Sequence, residues 1–356
     1  MFALLLFLSG CTAPGIFPPS ALPTPLPQAI QAPPPEQPFP EQPLIEIPLA
    51  GPLAQPEAEI SSLAWDGEWL ILTPQFPSRF GPGDGALFRL AKADILAFLD
   101  GQLPGPLTPE TMPFIAPGLA RAIRGYEGIE ALVLSGDRVY AAVEAQQGRD
   151  AMRGWLVAGH AEGTGKRRTI RLDPGEMRWV AGQAPLDNMG YEALAAFPGA
   201  EGPELLLIYE ANGVNVTSQP LAYRFDAQLN PLGPIPFPSL EFRITDATQP
   251  DAAGRFWAIN YFWPGDRWKL RPGPDELVER YGQGPTHARN LAVERLVELQ
   301  LGPDGVTLTG RPPILLELLP GTSRNWEGLV RLDDRGFLLA TDTFPRTILA
   351  FAPLPE

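Results

Sequence analysis

YEGIEALVLSGDRVYAAVE, residues 126–144, contains the structural plan of the chain. An apolar run breaks at Ser135-Gly136-Asp137 and resumes as VYAAV. Strand, tight turn, strand is a β-hairpin, because Gly supplies the backbone angles that a short turn requires. The same figure recurs in ISSLAWDGEWLILTPQ (60–75), YEALAAFPGAEGPELLLIYE (191–210), TDATQPDAAGRFWAIN (245–260) and WEGLVRLDDRGFLLATD (326–342). A third strand follows each hairpin: ALFRLAK (86–92), GWLVAGH (154–160), PLAYRFD (220–226), VERLVELQL (293–301) and TILAFAP (347–353). A fourth is readable in most copies, as in KRRTIRLD (166–173) and VTLTGRPPILLEL (306–318).

Four antiparallel strands repeated at roughly 53 to 80 residues predict an all-β chain folded as a β-propeller. Five copies favour five blades. The long interval between the last two copies leaves room for a sixth. The final copy ends after its third strand, and LIEIPLAGPL (44–53) precedes the first. That segment is expected to supply the missing outer strand, closing the ring and leaving no open edge.

Composition agrees. The 356 residues include 44 Pro and 36 Gly, about 22% together against about 12% in ordinary chains. Long helical bundles are therefore excluded. A single Cys forbids an internal disulfide and a Cys-based zinc site. Two His leave little for a His-rich metal centre. A formal charge of −14 argues against nucleic acid as a partner.

The N-terminus reads MFALLLFLSGC, an apolar run followed by small residues and Cys11. This is similar to a bacterial lipoprotein signal with Cys11 as lipid anchor, although no Lys or Arg precedes the run. Residues 12–43 are dense in Pro and carry few charges, which predicts a semi-rigid, polyproline-like tether. The expected organisation is a signal over 1–11, a tether over 12–43 and a propeller over 44–356. A monomer is expected, placed outside the cytoplasm and touching the membrane only through its anchor.

Stacking the copies aligns polar residues. Ser61, Glu127, Glu192, Asp246 and Glu327 stand at the first strand's start. Gln75, Glu144, Glu210, Asn260 and Asp342 stand at the second strand's end. In a hairpin these two positions face each other. Glu127, Glu192, Asp246 and Glu327 are thus candidate ligands for a hard cation such as Ca²⁺, with Glu144, Glu210, Asn260 and Asp342 as channel-face partners. The alternative is a purely structural ring, tied by backbone amides and Arg. Loops after these positions carry Arg79, Arg149 and Arg346, which either clamp an anion or pair with the acids. The long polar segment 264–290 is placed on the same face, where it could cover the mouth, and His287 in it is a candidate general base. No nucleophile elbow, P-loop, HExxH or dinucleotide motif occurs.

NWEGLVRLDDRGFLLATDTFPRTILAFAPL (325–354), YEALAAFPGAEGPELLLIYE and ISSLAWDGEWLIL together resemble the "esterase-like activity of phytase" propellers across nearly all of residues 44–354. The resemblance implies channel-face carboxylates at Glu127, Glu192, Glu327 and Asp342. It also implies hydrolysis of phosphate or carboxyl esters. The expected function is a metal-assisted hydrolase of anionic esters. The alternative is a non-catalytic propeller of the cell envelope that binds a ligand or a protein.

Overall fold

The computed structural model describes residues 38–148 and 152–355. It opens with two short strands, β1 (Glu41–Gln42) and β2 (Ile45–Glu46). β3 (Ile60–Asp66), β4 (Trp69–Pro74), β5 (Ala86–Ala91) and β6 (Glu110–Ile115) form an antiparallel meander. β7 (Tyr126–Ser135), β8 (Arg138–Gln146), β9 (Met152–Glu162) and β10 (Thr169–Ala181) form another. Their outer strands β6 and β10 pair in parallel, which makes the two meanders one eight-stranded sheet. β11 (Ala193–Gly199), β12 (Gly202–Ile208), β13 (Leu221–Phe225) and β14 (Pro231–Pro236) follow the same order. β15 (Arg243–Ala247), β16 (Arg255–Phe262) and β17 (Val293–Gly302) continue it, with β18 (Gly305–Leu308) and β19 (Ile314–Leu316) both paired to β17. β20 (Trp326–Leu332), β21 (Gly336–Thr341) and β22 (Leu349–Pro353) come last.

The hairpins close as their turn residues require. Gly67 and Gly136 take φ of 58° and 60°, a region nearly closed to residues with a Cβ, at the first position of two-residue turns. The first strands of the meanders lie side by side: β3 with β7, β7 with β11, β11 with β15, β15 with β20, and β20 with β3. Each of these neighbouring pairs of meanders has its own apolar cluster. Tyr140, Leu156, Leu205 and Tyr209 pack between the second and third. Leu63, Phe88, Leu338 and Phe351 pack between the last and the first. Trp257 meets Phe337 edge-on at 5.3 Å between the fourth and the last. Meanders arranged this way about their first strands make an all-β propeller.

β2 pairs with β22, matching Ile45 to Phe351. β1 pairs with β19 of the neighbouring sheet, so the folded part includes residues 41–43 that composition assigned to the tether. Residues 263–292 hold short helices and no strand, and β18 and β19 join the sheet of β17, so this interval contains no additional sheet. Cys11 and the rest of the tether up to residue 37 lie outside the described residues. No helix among the described residues is long and apolar enough to cross a membrane.

One irregularity positions the site. The ladders of β3 and β20 each carry an extra residue near their start, at Ser61 and Glu327, and that of β7 carries two, at Glu127 and Glu130. A β-bulge frees a side chain from the alternating pattern and turns it to a new direction. Glu130 and Glu327 line the same cavity. Ser61 is used as a tie, its hydroxyl donating to the Ile129 carbonyl at 2.5 Å.

Candidate active site

A cavity of about 690 Å³ opens on the face where first strands begin and second strands end. Its floor is acidic, with Glu130, Glu144, Glu192, Glu327 and Asp342 lining it and Glu210 buried directly behind. Arg243, at the start of β15, enters this group. It donates through Nη2 to Glu192 at 3.1 Å, through Nη1 to Asn325 Oδ1 at 3.2 Å, and through Nε to Glu210. Asn325 passes the network on: its Nδ2 donates to Glu327 at 2.6 Å and to Asp342 at 2.8 Å. Gln75 donates to Glu130 at 3.0 Å.

Six carboxylates against one guanidinium cannot all ionise in a buried site. Burial, with repulsion from neighbouring carboxylates, pushes Glu144, Glu192 and Glu327 well up. Glu130 is pushed up to about 8 by the same causes, against the hydrogen bond from Gln75. Burial also raises Glu210, but Arg243 opposes it there as the next largest influence. The pair Glu210–Arg243 is therefore where charge is best kept.

Oxygens of Glu144, Glu192 and Glu210 all lie within 4.8 Å of one another. Glu144 Oε1 is buried and has no hydrogen-bond partner among the described residues. A buried acceptor left alone costs about 1–3 kcal/mol unless something outside the chain satisfies it. These hard oxygen donors fit a divalent cation such as Ca²⁺. The set shares only Glu192 with the ligands expected from sequence. Gly190 makes the approach possible, since a Cβ there would stand 1.8 Å from Glu144 Oε1. Gly190→Ala should therefore displace the Glu144 carboxylate and cost about 1–3 kcal/mol, read by urea denaturation.

The other sequence-predicted residues divide. Glu192, Glu327, Glu144, Glu210 and Asp342 are brought together as expected. Glu127 is half-buried and does not line the cavity; Glu130, three residues on, does. The signal was present, because Glu130-Ala131-Leu132 repeats Glu192-Ala193-Leu194. Asp246 is a tie between sheets. Its carboxylate accepts from the amides of Ala247 and Leu329 and borders a separate cavity of about 110 Å³. Asn260 lies behind the floor. It donates to the carbonyls of Glu241 and Arg243 and accepts from Arg295.

Of the expected anion clamp, Arg79 and Arg346 do not line the cavity. Arg79 pairs with Glu59 and lies over the Phe76 ring, while Arg346 pairs with Glu46 of β2. Exposed pairs of this kind fasten loops and contribute little. Arg149 lies outside the described residues. The cations that do line the cavity are Arg243 and Lys269, the latter 3.7 Å from Asp266. Arg243 carries no repeat signal, since the equivalent strands begin with other residue types.

His287 is also reassigned. Its Nδ1 meets Glu41 at 2.7 Å and its Nε2 accepts the Glu294 amide at 3.3 Å. Both ring nitrogens are occupied, it does not line the acidic cavity, and burial holds its pKa below the usual range. It secures β1 to the segment 264–290. That segment does reach the mouth, supplying Pro264, Asp266, Lys269 and Asn290 to the cavity wall.

No family model matches the chain, and no curated protein matches it by sequence. Among solved structures it is similar to the GH43 endo-arabinanase from Bacillus licheniformis at 13% identity and a TM-score of 0.43, over 87% of this chain and 97% of that one. It is similar to an α-L-arabinofuranosidase from Clostridium thermocellum at 11% identity and a TM-score of 0.44, over 80% and 81%. A glucose dehydrogenase aligns at 13% identity and a TM-score of 0.39, over 88% and 99%. Likenesses this low define neither a family nor a substrate. The propeller class rests on the sheet order above.

Proposed function

We propose that the acidic cavity is the active site of a propeller hydrolase assisted by a divalent cation, with Glu144, Glu192 and Glu210 as its ligands. The observation that carries this is a buried cluster in which oxygens of Glu144, Glu192 and Glu210, one from each, lie within 4.8 Å of one another, while Glu144 Oε1 has no hydrogen-bond partner among the described residues. Bound there, Ca²⁺ would polarise a substrate oxygen as a Lewis acid. Glu130 keeps its proton at neutral pH and can donate it to a leaving group. Arg243 orients Glu192 and Glu210 through its fork of donors. Phosphate esters lose support as substrates, because Arg79 and Arg346, two of the loop arginines expected to hold the anion, pair with Glu59 and Glu46.

The accompanying architecture is five blades, one for each first strand, with β2 completing the last. The cellular setting we propose is a lipoprotein anchored at Cys11 on a Pro-rich tether. Labelling with a palmitate analogue, lost in Cys11→Ala, tests that part.

The site is tested by a Ca²⁺ thermal-shift titration, with turnover assayed on p-nitrophenyl esters, phosphates and glycosides. Ca²⁺ should raise the melting temperature, and the rise should vanish in Glu144→Gln/Glu192→Gln. Turnover should fall at least tenfold on chelation. No thermal shift and no turnover would leave a self-neutralised acid cluster, and with it a binding propeller without chemistry.

A further inference from the structure

The same cavity has a second feature, unconnected with its acidic floor. Trp263 and Phe344 line it while exposing 53% and 66% of their surface. Aromatic faces at the mouth of a polar cavity offer an apolar surface to a ligand. Trp263 is also held in place: a Cβ on Gly265 would lie 2.3–2.5 Å from three carbons of its six-membered ring. The indole therefore lies directly on the Gly265 backbone, a fixed flat platform beside the cavity.

The wall below this platform is rich in neutral polar groups. Asn188, Asn290, Thr322 and Ser323 all line it. The side chains of Asn188 and Thr322 make no hydrogen bond to another described residue, and the Asn290 amide nitrogen donates to none. The floor carboxylates repel an anion, and the cation on the wall, Lys269, lies 3.7 Å from Asp266, which balances it. A neutral ring with one apolar face and many hydroxyls satisfies both features. Its C–H face covers the indole, and its hydroxyls reach the wall amides and floor carboxylates.

We propose that this cavity takes a neutral saccharide, stacked on Trp263 and held by hydroxyl contacts to Asn188, Asn290 and Thr322. The proposal rests on reading the cavity as the functional site, and it names the substrate class. Binding is measured by titration calorimetry with xylotriose, arabinotriose, cellotriose and maltotriose on the full chain. At least one should bind saturably at millimolar concentration or tighter. Trp263→Ala should weaken it at least tenfold, and Gly265→Ala, which displaces the indole, should act in the same direction. The Ca²⁺ thermal shift, measured on each variant, reports that the fold and the acidic floor persist. Absence of binding by all four sugars at about 10 mM would overturn the proposal, as would affinity unchanged in Trp263→Ala. Spermidine or p-nitrophenyl phosphate binding in place of sugar would also overturn it. Because Ca²⁺ and turnover are read separately, failure of saccharide binding is distinguishable from failure of the hydrolase reading.

Discussion

Replacing Arg243 with Gln should lower the stability of the fold by about 3–5 kcal/mol at neutral pH, the usual cost of removing one partner from a buried ion network. Arg243 is 7% exposed and its guanidinium contacts Glu192, Glu210 and Asn325 together. Gln reaches less far and carries no charge, so Glu192 and Glu210 would be left buried without their cation. Two responses should follow. Lowering the pH should restore part of the loss, because protonation removes the charges that Arg243 had balanced. Ca²⁺ should stabilise the variant more than the parent, because the guanidinium no longer competes for the same oxygens. Urea denaturation at pH 5 and pH 7.5, with and without Ca²⁺, reads all three effects. A loss under about 1 kcal/mol at pH 7.5 would mean that the floor is protonated throughout and that Arg243 is dispensable.

The meander plan was legible in the chain because hairpins are local. Each hairpin needs only a turn at positions such as Gly67 and Gly136 and an apolar run on either side. The outer strand from the N-terminus was legible for a topological reason, since the last copy stops one strand short. The site was legible only in part, and the bulges explain this. β7 carries two bulges, at Glu127 and at Glu130, and only the second residue lines the cavity, so alignment by chemistry alone placed Glu127 where the fold places Glu130. Asp246 was misplaced by the same irregularity in β15, where two backbone amides capture its carboxylate. Arg243 was not legible, because its role comes from three acceptors that lie 33, 51 and 82 residues away along the chain. The loop arginines were legible as cations, but sequence does not say which carboxylate a long side chain reaches. Glu59 and Glu46, close by in the fold, take Arg79 and Arg346.

Without divalent cations, stability should fall as pH rises from about 6.5 to about 8, and Glu130→Gln should flatten that slope. Glu130 is raised from 4.5 to about 8, first by burial and then by repulsion from Glu192. Between those values the folded state holds a proton that the unfolded chain has released, so raising the pH favours unfolding. Below 4.5 both states are protonated and the effect disappears. Above about 8 both are ionised and the loss is complete, on the order of 5 kcal/mol from this group alone. Glu144, Glu192 and Glu327, also raised, act in the same direction and steepen the fall. The pair at the N-terminal strand has the opposite sense. Burial holds His287 below 6.5. Glu41 is held below 4.5 by hydrogen bonds from His287 and Thr286 that outweigh its own burial. Their contributions are lost as pH falls, so they oppose the cluster only on the acid side. In the window from 6.5 to 8, Asp246 and Glu294, buried outside the cavity, are also raised by burial and add to the fall, so the difference between the parent and Glu130→Gln, and not the slope alone, reads the cavity. Melting temperatures measured there in EDTA should decline in the parent and decline less in Glu130→Gln. Adding Ca²⁺ should reduce the decline, since a cation held by Glu144, Glu192 and Glu210 takes the place of the protons those three would otherwise retain. A melting temperature level across this window would show that the floor carboxylates ionise at ordinary pH, and Glu130 could then not serve as the proton donor.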